Sequence, residues 1–298
     1  MTDITLLDGS IGQELVKRAG KRPTPLWSTS VMLEAPDHVG AVHRYYFEAG
    51  ATVATTNTYA VLRDRLEPAG IGDQFEALID TALAQAETAR AAHGTGRIAG
   101  ALGPLGASYR PDICPPPAEA EALYADSVRA MNDRVDLFLI ETAASVAQAE
   151  GALRGASLGS KPVWLSVTVM DDDGSRLRSG EGVGELAAIV AQYQPQAVLV
   201  NCSRPEAMAA ALDIIAGFGL PFGAYANGFT RITEGFLKDR PTVEALSARV
   251  DLTPEAYADF AMGWVGQGAT IVGGCCEVGP EHIAHLARRL RAAGHRIV

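Results

Sequence analysis

The sequence predicts a single-domain α/β protein, a (β/α)8 TIM barrel over residues 1–298. Eight short apolar runs alternate with stretches of helical periodicity. Most of these runs lack polar alternation, as strands do when a parallel sheet is covered on both faces. No linker, low-complexity stretch or compositional break divides the chain. Eight strand–helix units in one chain favour a closed barrel. The competing arrangement is a doubly wound open sheet, but its first turn would carry a glycine-rich dinucleotide pattern, which Gly9-Ser10-Ile11-Gly12 is not.

Ile4 to Leu7 is the first strand, stopping at Asp8-Gly9, and a helix follows from Ile11 to about Ala19. The polar, proline-containing segment from Lys21 to Pro25 is a loop leading into Leu26-Trp27-Ser28. Pro36 opens a helix, at a position where its missing N–H has no partner to lose. Val39, Val42, Tyr46 and Phe47 recur there at helical spacing, up to Gly50. Ala51 to Thr56 is the second strand, ending in Asn57-Thr58-Tyr59. A long helix from about Asp73 to His93 presents Phe75, Leu78, Ile79 and Leu83 on one face. The third strand, Arg97 to Leu102, closes at Gly103-Pro104, and Leu105 to Pro117 is irregular, with Cys114 before three prolines. A helix from Ala118 to Asn132 leads to the fourth strand, Val135 to Ile140, which ends at Glu141-Thr142.

Ser145 to Gly155 is helical, Pro162 to Val169 is the fifth strand, and Asp171 to Gly182 is a polar loop. A helix from Val183 to Gln192 precedes the sixth strand, Ala197 to Val200. Pro205 to Ile215 is helical, and Phe222 to Ala226 is the seventh strand, ending at Asn227-Gly228. Phe229 to Asp251 reads as a long loop with a short helix. Thr253 caps a helix from Pro254 to Val265. Ala269 to Val272 is the eighth strand, and Pro280 to Ala293 the last helix.

Apolar residues make up 48% of the chain, enough for a large core. The net charge of −10 argues against nucleic acid and anionic membrane as partners. Met1-Thr2-Asp3-Ile4-Thr5 has no basic region followed by an apolar core, so it does not read as a secretory signal. No apolar run is long enough to span a bilayer. These features read as a cytoplasmic protein; the charge does not itself identify a small-molecule substrate, and a homo-oligomer is left open. Four cysteines in that compartment are free thiols or metal ligands before they are a disulfide framework.

In a (β/α)8 barrel the active site lies at the C-terminal ends of the strands. Those ends carry Asp8, Asn57, the Gly103-Pro104 turn, Glu141, Thr168, Asn201 with Cys202, Asn227, and Cys275 with Cys276. Cys275 and Cys276 can serve one site only if the chain leaves strand geometry, because neighbouring strand residues point to opposite faces. Gly273 and Gly274 before them permit that departure. Three thiols at strand ends point to a zinc site with three sulfur ligands and one open position. Against this, a lone cysteine is usually a small buried apolar residue, and a vicinal Cys275–Cys276 disulfide would be strained. Cys114 lies at no strand end, and His282 and His285 on the last helix read as structural or supporting residues. Asp8 and Glu141 are caps or solvated carboxylates, or else they hold a cation such as an amino acid's ammonium. Asn57, Asn201 and Asn227 also suit simple turns. Trp27 either packs in the core or walls a pocket.

Zinc held by three thiolates has a net charge of about −1 and is a poor Lewis acid for hydrolysis. It suits binding a substrate thiol, displacing its proton and keeping the sulfur nucleophilic. The residues resemble the homocysteine S-methyltransferase family. The resemblance rests on Gly273-Gly274-Cys275-Cys276 with Gly279-Pro280-Glu281-His282-Ile283, on Leu7-Asp8-Gly9, Thr56-Asn57-Thr58-Tyr59, Gly103-Pro104 with Gly106-Ala107, Glu141-Thr142, and Val200-Asn201-Cys202. It implies a Zn2+ cofactor on Cys202, Cys275 and Cys276, with homocysteine as methyl acceptor and methionine as product. It also implies that Asp8 and Glu141 bind the homocysteine amino group, that Gly9 helps fix the amino acid through its backbone, and that Asn201 orients a ligand or contacts substrate.

Leu26-Trp27-Ser28 looks most like the branch that uses S-methylmethionine as donor. The sequence departs from that branch at Ser108 to Pro117 and at Tyr225-Ala226-Asn227. Betaine, dimethylsulfoniopropionate and S-adenosylmethionine therefore remain alternative donors. A thiol redox protein using Cys275-Cys276, or an amino-acid-binding barrel without turnover, are the alternatives of another class.

Overall fold

The computed structural model describes residues 2–20, 28–233, 235, 237 and 246–298. Trp27, with the Leu26-Trp27 part of its motif, and much of the segment after Phe229 lie outside the described residues.

The strands are β1 (Asp3–Leu6), β2 (Val53–Thr55), β3 (Arg97–Leu102), β4 (Leu137–Ala143), β5 (Val163–Val167), β6 (Ala197–Asn201), β7 (Phe222–Tyr225), β8 (Ile271–Val272) and β9 (Arg296–Ile297). They form one sheet in the order β2-β3-β4-β5-β6-β7-β8-β1-β9, with every pairing parallel. The barrel closes between β1 and β2: Leu7 bridges Val53, and the Thr52 N–H donates to the Leu6 carbonyl at 2.7 Å. The short strand β9, which the sequence reading did not anticipate, pairs with β1 at Asp3 and Ile4.

Strand alternation sorts the side chains into two layers. Leu7, Val53, Ala99, Leu137, Leu139, Trp164, Ala197, Leu199, Tyr225 and Ile271 form an inner cluster, with Cys275 packed against it. The intervening residues, such as Leu6, Ile98, Phe138, Ile140, Leu165, Val198, Val200 and Val272, join the helices in a larger outer cluster. The sheet is thus covered on both faces, as its apolar strands required. The inner register carries on to the rim: Glu141 follows Leu139 by two residues, and Asn201 follows Leu199 by two.

Several boundaries differ from the sequence reading. β4 runs to Ala143 because its register with β5 shifts between Ile140 and Ala143, which carries Glu141 and Thr142 inside the strand. The helix expected from Val183 to Gln192 is a 3-10 turn (Val183–Leu186) followed by an α-helix (Ala187–Tyr193). Helices at Ser28–Glu34 and Arg63–Leu66 were not anticipated. Thr253 is the cap expected of it, accepting from the Ala256 N–H at 3.3 Å. No helix among the described residues is long and apolar enough to cross a membrane.

Candidate metal and substrate site

Cys202 follows inward-facing Asn201 and would point into the helix layer if β6 continued. Its backbone instead turns left-handed, φ 50°, and swings the thiol to the rim. Such a conformation is uncommon outside glycine and is maintained by its surroundings. The Cys202 N–H donates to the Tyr225 carbonyl at 3.1 Å, and the Asn227 side-chain amide donates to the Cys202 carbonyl at 2.8 Å.

The second half of the thiol cluster comes from the turn after β8. The Cys275 N–H donates to the Ala226 carbonyl at 2.9 Å, and the Val278 N–H closes the turn on the Cys275 carbonyl at 3.0 Å. Glu277 takes the left-handed conformation, φ 64°. Its N–H and carboxylate are both bound by the Gln13 side chain at 2.7 Å. The glycines do not act as the sequence reading supposed. Neither Gly273 nor Gly274 has a positive φ. Their task is space: a Cβ on Gly274 would lie 2.2 Å from Val278 Cγ1, and one on Gly273 2.5 Å from Leu7 Cβ.

The sulfurs of Cys202, Cys275 and Cys276 lie within 4.8 Å of one another. Cys202 and Cys276 are 3.6 Å apart, close to the ~3.8 Å separating two sulfurs on one tetrahedral zinc with Zn–S bonds of about 2.3 Å. All four cysteines are free thiols, and Cys114 stands outside the cluster. Burial opposes ionisation of Cys202, but hydrogen bonds from Cys275, Cys276 and Tyr109 outweigh it and bring this thiol below its usual range. Burial and the neighbouring Cys202 push Cys275 the other way. A bound dication would favour all three as thiolates. The donor set thus fits a thiophilic divalent metal.

The three cysteines line a cavity of about 800 Å3, its open mouth included. Asp8, Gly9, Asn57, Glu141 and Tyr225 also line it. The Asp8 carboxylate accepts from the Thr55 N–H at 2.6 Å and the Thr55 hydroxyl at 2.8 Å. Burial nevertheless pushes its pKa up to about 7. Glu141 accepts from the Tyr225 hydroxyl at 3.2 Å, and burial, then repulsion from Asp8, raise its pKa to about 8. No lysine, arginine or histidine lines the cavity among the described residues. Two carboxylates without a basic partner make this a place for a cation.

Gly9 is required where it stands, since a Cβ there would lie 2.2 Å from the Val278 carbonyl oxygen. Asn57 accepts from the Ser28 hydroxyl at 2.6 Å and faces the cavity. Asn201 is fully buried and is not among the lining residues. Its amide oxygen accepts from the Thr142 N–H and the Ser166 hydroxyl, and its nitrogen donates to the Thr142 hydroxyl and lies 4.0 Å from the Cys275 sulfur. That placement orients the rim behind the cavity wall. His282 pairs with the Gly279 N–H and the Leu252 carbonyl, away from the sulfurs.

Sequence reasoning missed Tyr109, Thr55, Tyr225 and Gln13. Tyr225 had a signal, as an inward position at the end of β7. Gln13 pairs with Glu277 across 264 residues, and nothing local announces that contact.

Residues 5–290 match the homocysteine S-methyltransferase family. The chain belongs to that family. Homocysteine S-methyltransferase of Escherichia coli (strain K12) is 30% identical, over 96% of this chain and 95% of that protein. Homocysteine S-methyltransferase 4 of Zea mays is 27% identical, over 97% of this chain and 90% of that one. The crystal structure of the homocysteine methyltransferase MmuM from Escherichia coli in its metallated form superposes with a TM-score of 0.80 at 29% identity, covering 97% of this chain and 96% of that chain. The chain thus has that protein's fold over nearly its whole length, and its own three thiols form a cluster suited to a metal.

Proposed function

We propose that residues 1–298 form one homocysteine-binding barrel domain that moves a methyl group from a sulfonium donor, S-methylmethionine in the first instance, to the thiol of homocysteine. The observation that carries this is the pairing of three convergent thiols with two buried carboxylates along one cavity. Cys202, Cys275 and Cys276 would hold Zn2+ as thiolates. The chemistry a bound Zn2+ supplies is a lowered thiol pKa at its open position, with the sulfur left nucleophilic.

The chain's own residues orient the acceptor. Asp8 and Glu141 receive the homocysteine ammonium, and Thr55 and Tyr225 fix their carboxylates. Asn57 and the Gly9 backbone line the same chamber. Tyr109, Phe229 and Leu246 pack with buried Cys202, and the partly buried Cys275 and Cys276 adjoin them. In the transfer the homocysteine sulfur forms a bond to the methyl carbon as the donor's sulfonium–carbon bond breaks. The thiol proton goes to solvent, and the donor leaves as a neutral thioether. Such a leaving group needs no general acid, so alignment supplies much of the rate. Two small molecules are the partners of this reaction. The net charge of −10 supports neither nucleic acid nor anionic membrane as a further partner and fits a cytoplasmic setting.

The test is methionine formation from homocysteine with S-methylmethionine, S-adenosylmethionine, betaine and dimethylsulfoniopropionate in turn. Preference for S-methylmethionine supports the reading. Preference for another donor replaces the donor and keeps the site, and no methionine from any of them overturns it.

A further inference from the structure

Tyr109 lies in the segment where the sequence departs from the S-methylmethionine branch, and the structure gives it a specific contact. Its backbone is left-handed, φ 62°, and its side chain is buried. The phenol O–H faces two acceptors on the same residue, the Cys202 sulfur at 3.1 Å and the Cys202 carbonyl oxygen at 3.2 Å. The carbonyl already accepts from the Asn227 amide at 2.8 Å and from the Thr168 hydroxyl at 3.4 Å. The sulfur, once a thiolate, is the stronger acceptor for the remaining proton, because a hydrogen bond to an ionised group is roughly twice as strong as one to a neutral group.

The ring is held for this purpose. The Arg178 guanidinium sits 5.1 Å from its centroid and is itself bound to Asp171 at 2.6 Å. The neighbouring Ser108 hydroxyl bonds the Tyr59 hydroxyl at 2.7 Å. Phe229 and Leu246 pack beside the ring.

In the proposed reaction, with metal and homocysteine in place, four electron-rich sulfurs share one site, and Cys202 itself lines the cavity that admits the donor. We propose that Tyr109 is a positioning residue that lowers the nucleophilicity of the Cys202 sulfur, so that the methyl group goes to homocysteine and not to the ligand. The reaction it suppresses balances simply. A bond forms between the Cys202 sulfur and the methyl carbon, the donor's sulfonium–carbon bond breaks, and a neutral thioether leaves. The ligand loses its charge and with it its hold on the metal. This inference rests on the metal and donor reading above.

The test compares the full chain with Tyr109→Phe, which removes one oxygen and keeps the packed ring. Both are loaded with Co2+ in place of zinc, and the thiolate-to-cobalt charge-transfer band is recorded. The band moves to lower energy in Tyr109→Phe, and a fluorinated tyrosine at position 109, a stronger donor, moves it to higher energy. The zinc-loaded proteins are then incubated with S-methylmethionine without homocysteine, and Cys202 is followed by peptide mass. Methylation of Cys202 is roughly tenfold faster in Tyr109→Phe, as expected for a lost hydrogen bond to a charged sulfur. An unmoved band in both substituted proteins, or equal Cys202 methylation, overturns the inference while the metal reading stands. A wild-type protein that shows no thiolate-to-cobalt band overturns the metal reading itself.

Discussion

Asp8, at the end of the first strand, is held by Thr55 at the end of the second: the Thr55 N–H and hydroxyl both donate to its carboxylate, at 2.6 and 2.8 Å. The contact spans the barrel's closing seam and holds the carboxylate in place, while its two hydrogen bonds offset only part of the effect of burial. Its pKa is raised to about 7, and that of Glu141 to about 8. An ammonium binds to the ionised forms, so the Michaelis constant for homocysteine falls as pH rises through this range and levels off above it. Stability without substrate runs the other way. The folded carboxyls keep protons that the unfolded ones release at their ordinary values, so stability drops as pH rises from the usual carboxylate range through about 7 and 8. Denaturant midpoints at pH values on either side of this window check the sign, and a midpoint that rises with pH there contradicts it.

Asp8→Asn keeps the shape of the side chain and removes the charge offered to the substrate ammonium. Loss of one partner of a buried charge pair costs about 2 kcal/mol or more, so the Michaelis constant for homocysteine rises roughly 30-fold with a smaller change in kcat. Glu141→Gln behaves alike, since Tyr225 can still donate to the amide oxygen. Steady-state kinetics on the purified variants decide this, and an unchanged constant removes the ammonium role.

A methyl group at position 274 has no room, 2.2 Å from Val278 Cγ1. Gly274→Ala forces the Cys275–Val278 turn to shift and destabilises the fold by about 1–3 kcal/mol. The same shift displaces Cys275 and Cys276, so bound zinc falls as well. Thermal melting and metal content on one preparation measure both, and a variant with wild-type metal content would show that the turn absorbs the change.

Asn201 ties β6 to Thr142 and Ser166. Asn201→Ala leaves the buried Thr142 N–H without its acceptor, at a cost of about 1–3 kcal/mol. It also removes an amide that lies 4.0 Å from the Cys275 sulfur, and zinc affinity drops about tenfold. Competition with a chelator of known affinity reads this directly.

The sequence made the barrel legible because apolar strands buried on both faces look unlike any other strand. It made the rim legible because the fold places every strand's C-terminal end there, which brought Asp8, Glu141, Cys202, Cys275 and Cys276 to one place. What it concealed has physical reasons. Gly273 and Gly274 suggest conformational freedom, but neither has a positive φ and the constraint comes from Val278 and Leu7. The turning is done at Cys202 and Glu277, whose left-handed backbones have no residue-type signature. Tyr109 reaches Cys202 from 93 positions away, and of the two roles open to Asn201, orienting a ligand or contacting substrate, its bonds to Thr142 and Ser166 suit the first. Strand β9 is two residues long and has no periodicity to detect.

In the proposed function Cys202, Cys275 and Cys276 hold the metal on which methyl transfer depends. The most direct measurement is zinc per chain on protein purified under reducing conditions, with methionine formation followed through chelation and zinc return, in wild type and in Cys276→Ala. The expected result is about one zinc per chain, activity lost on chelation and regained with zinc, and neither zinc nor activity in a folded Cys276→Ala. Full methyl transfer by the zinc-free protein or by Cys276→Ala would contradict it.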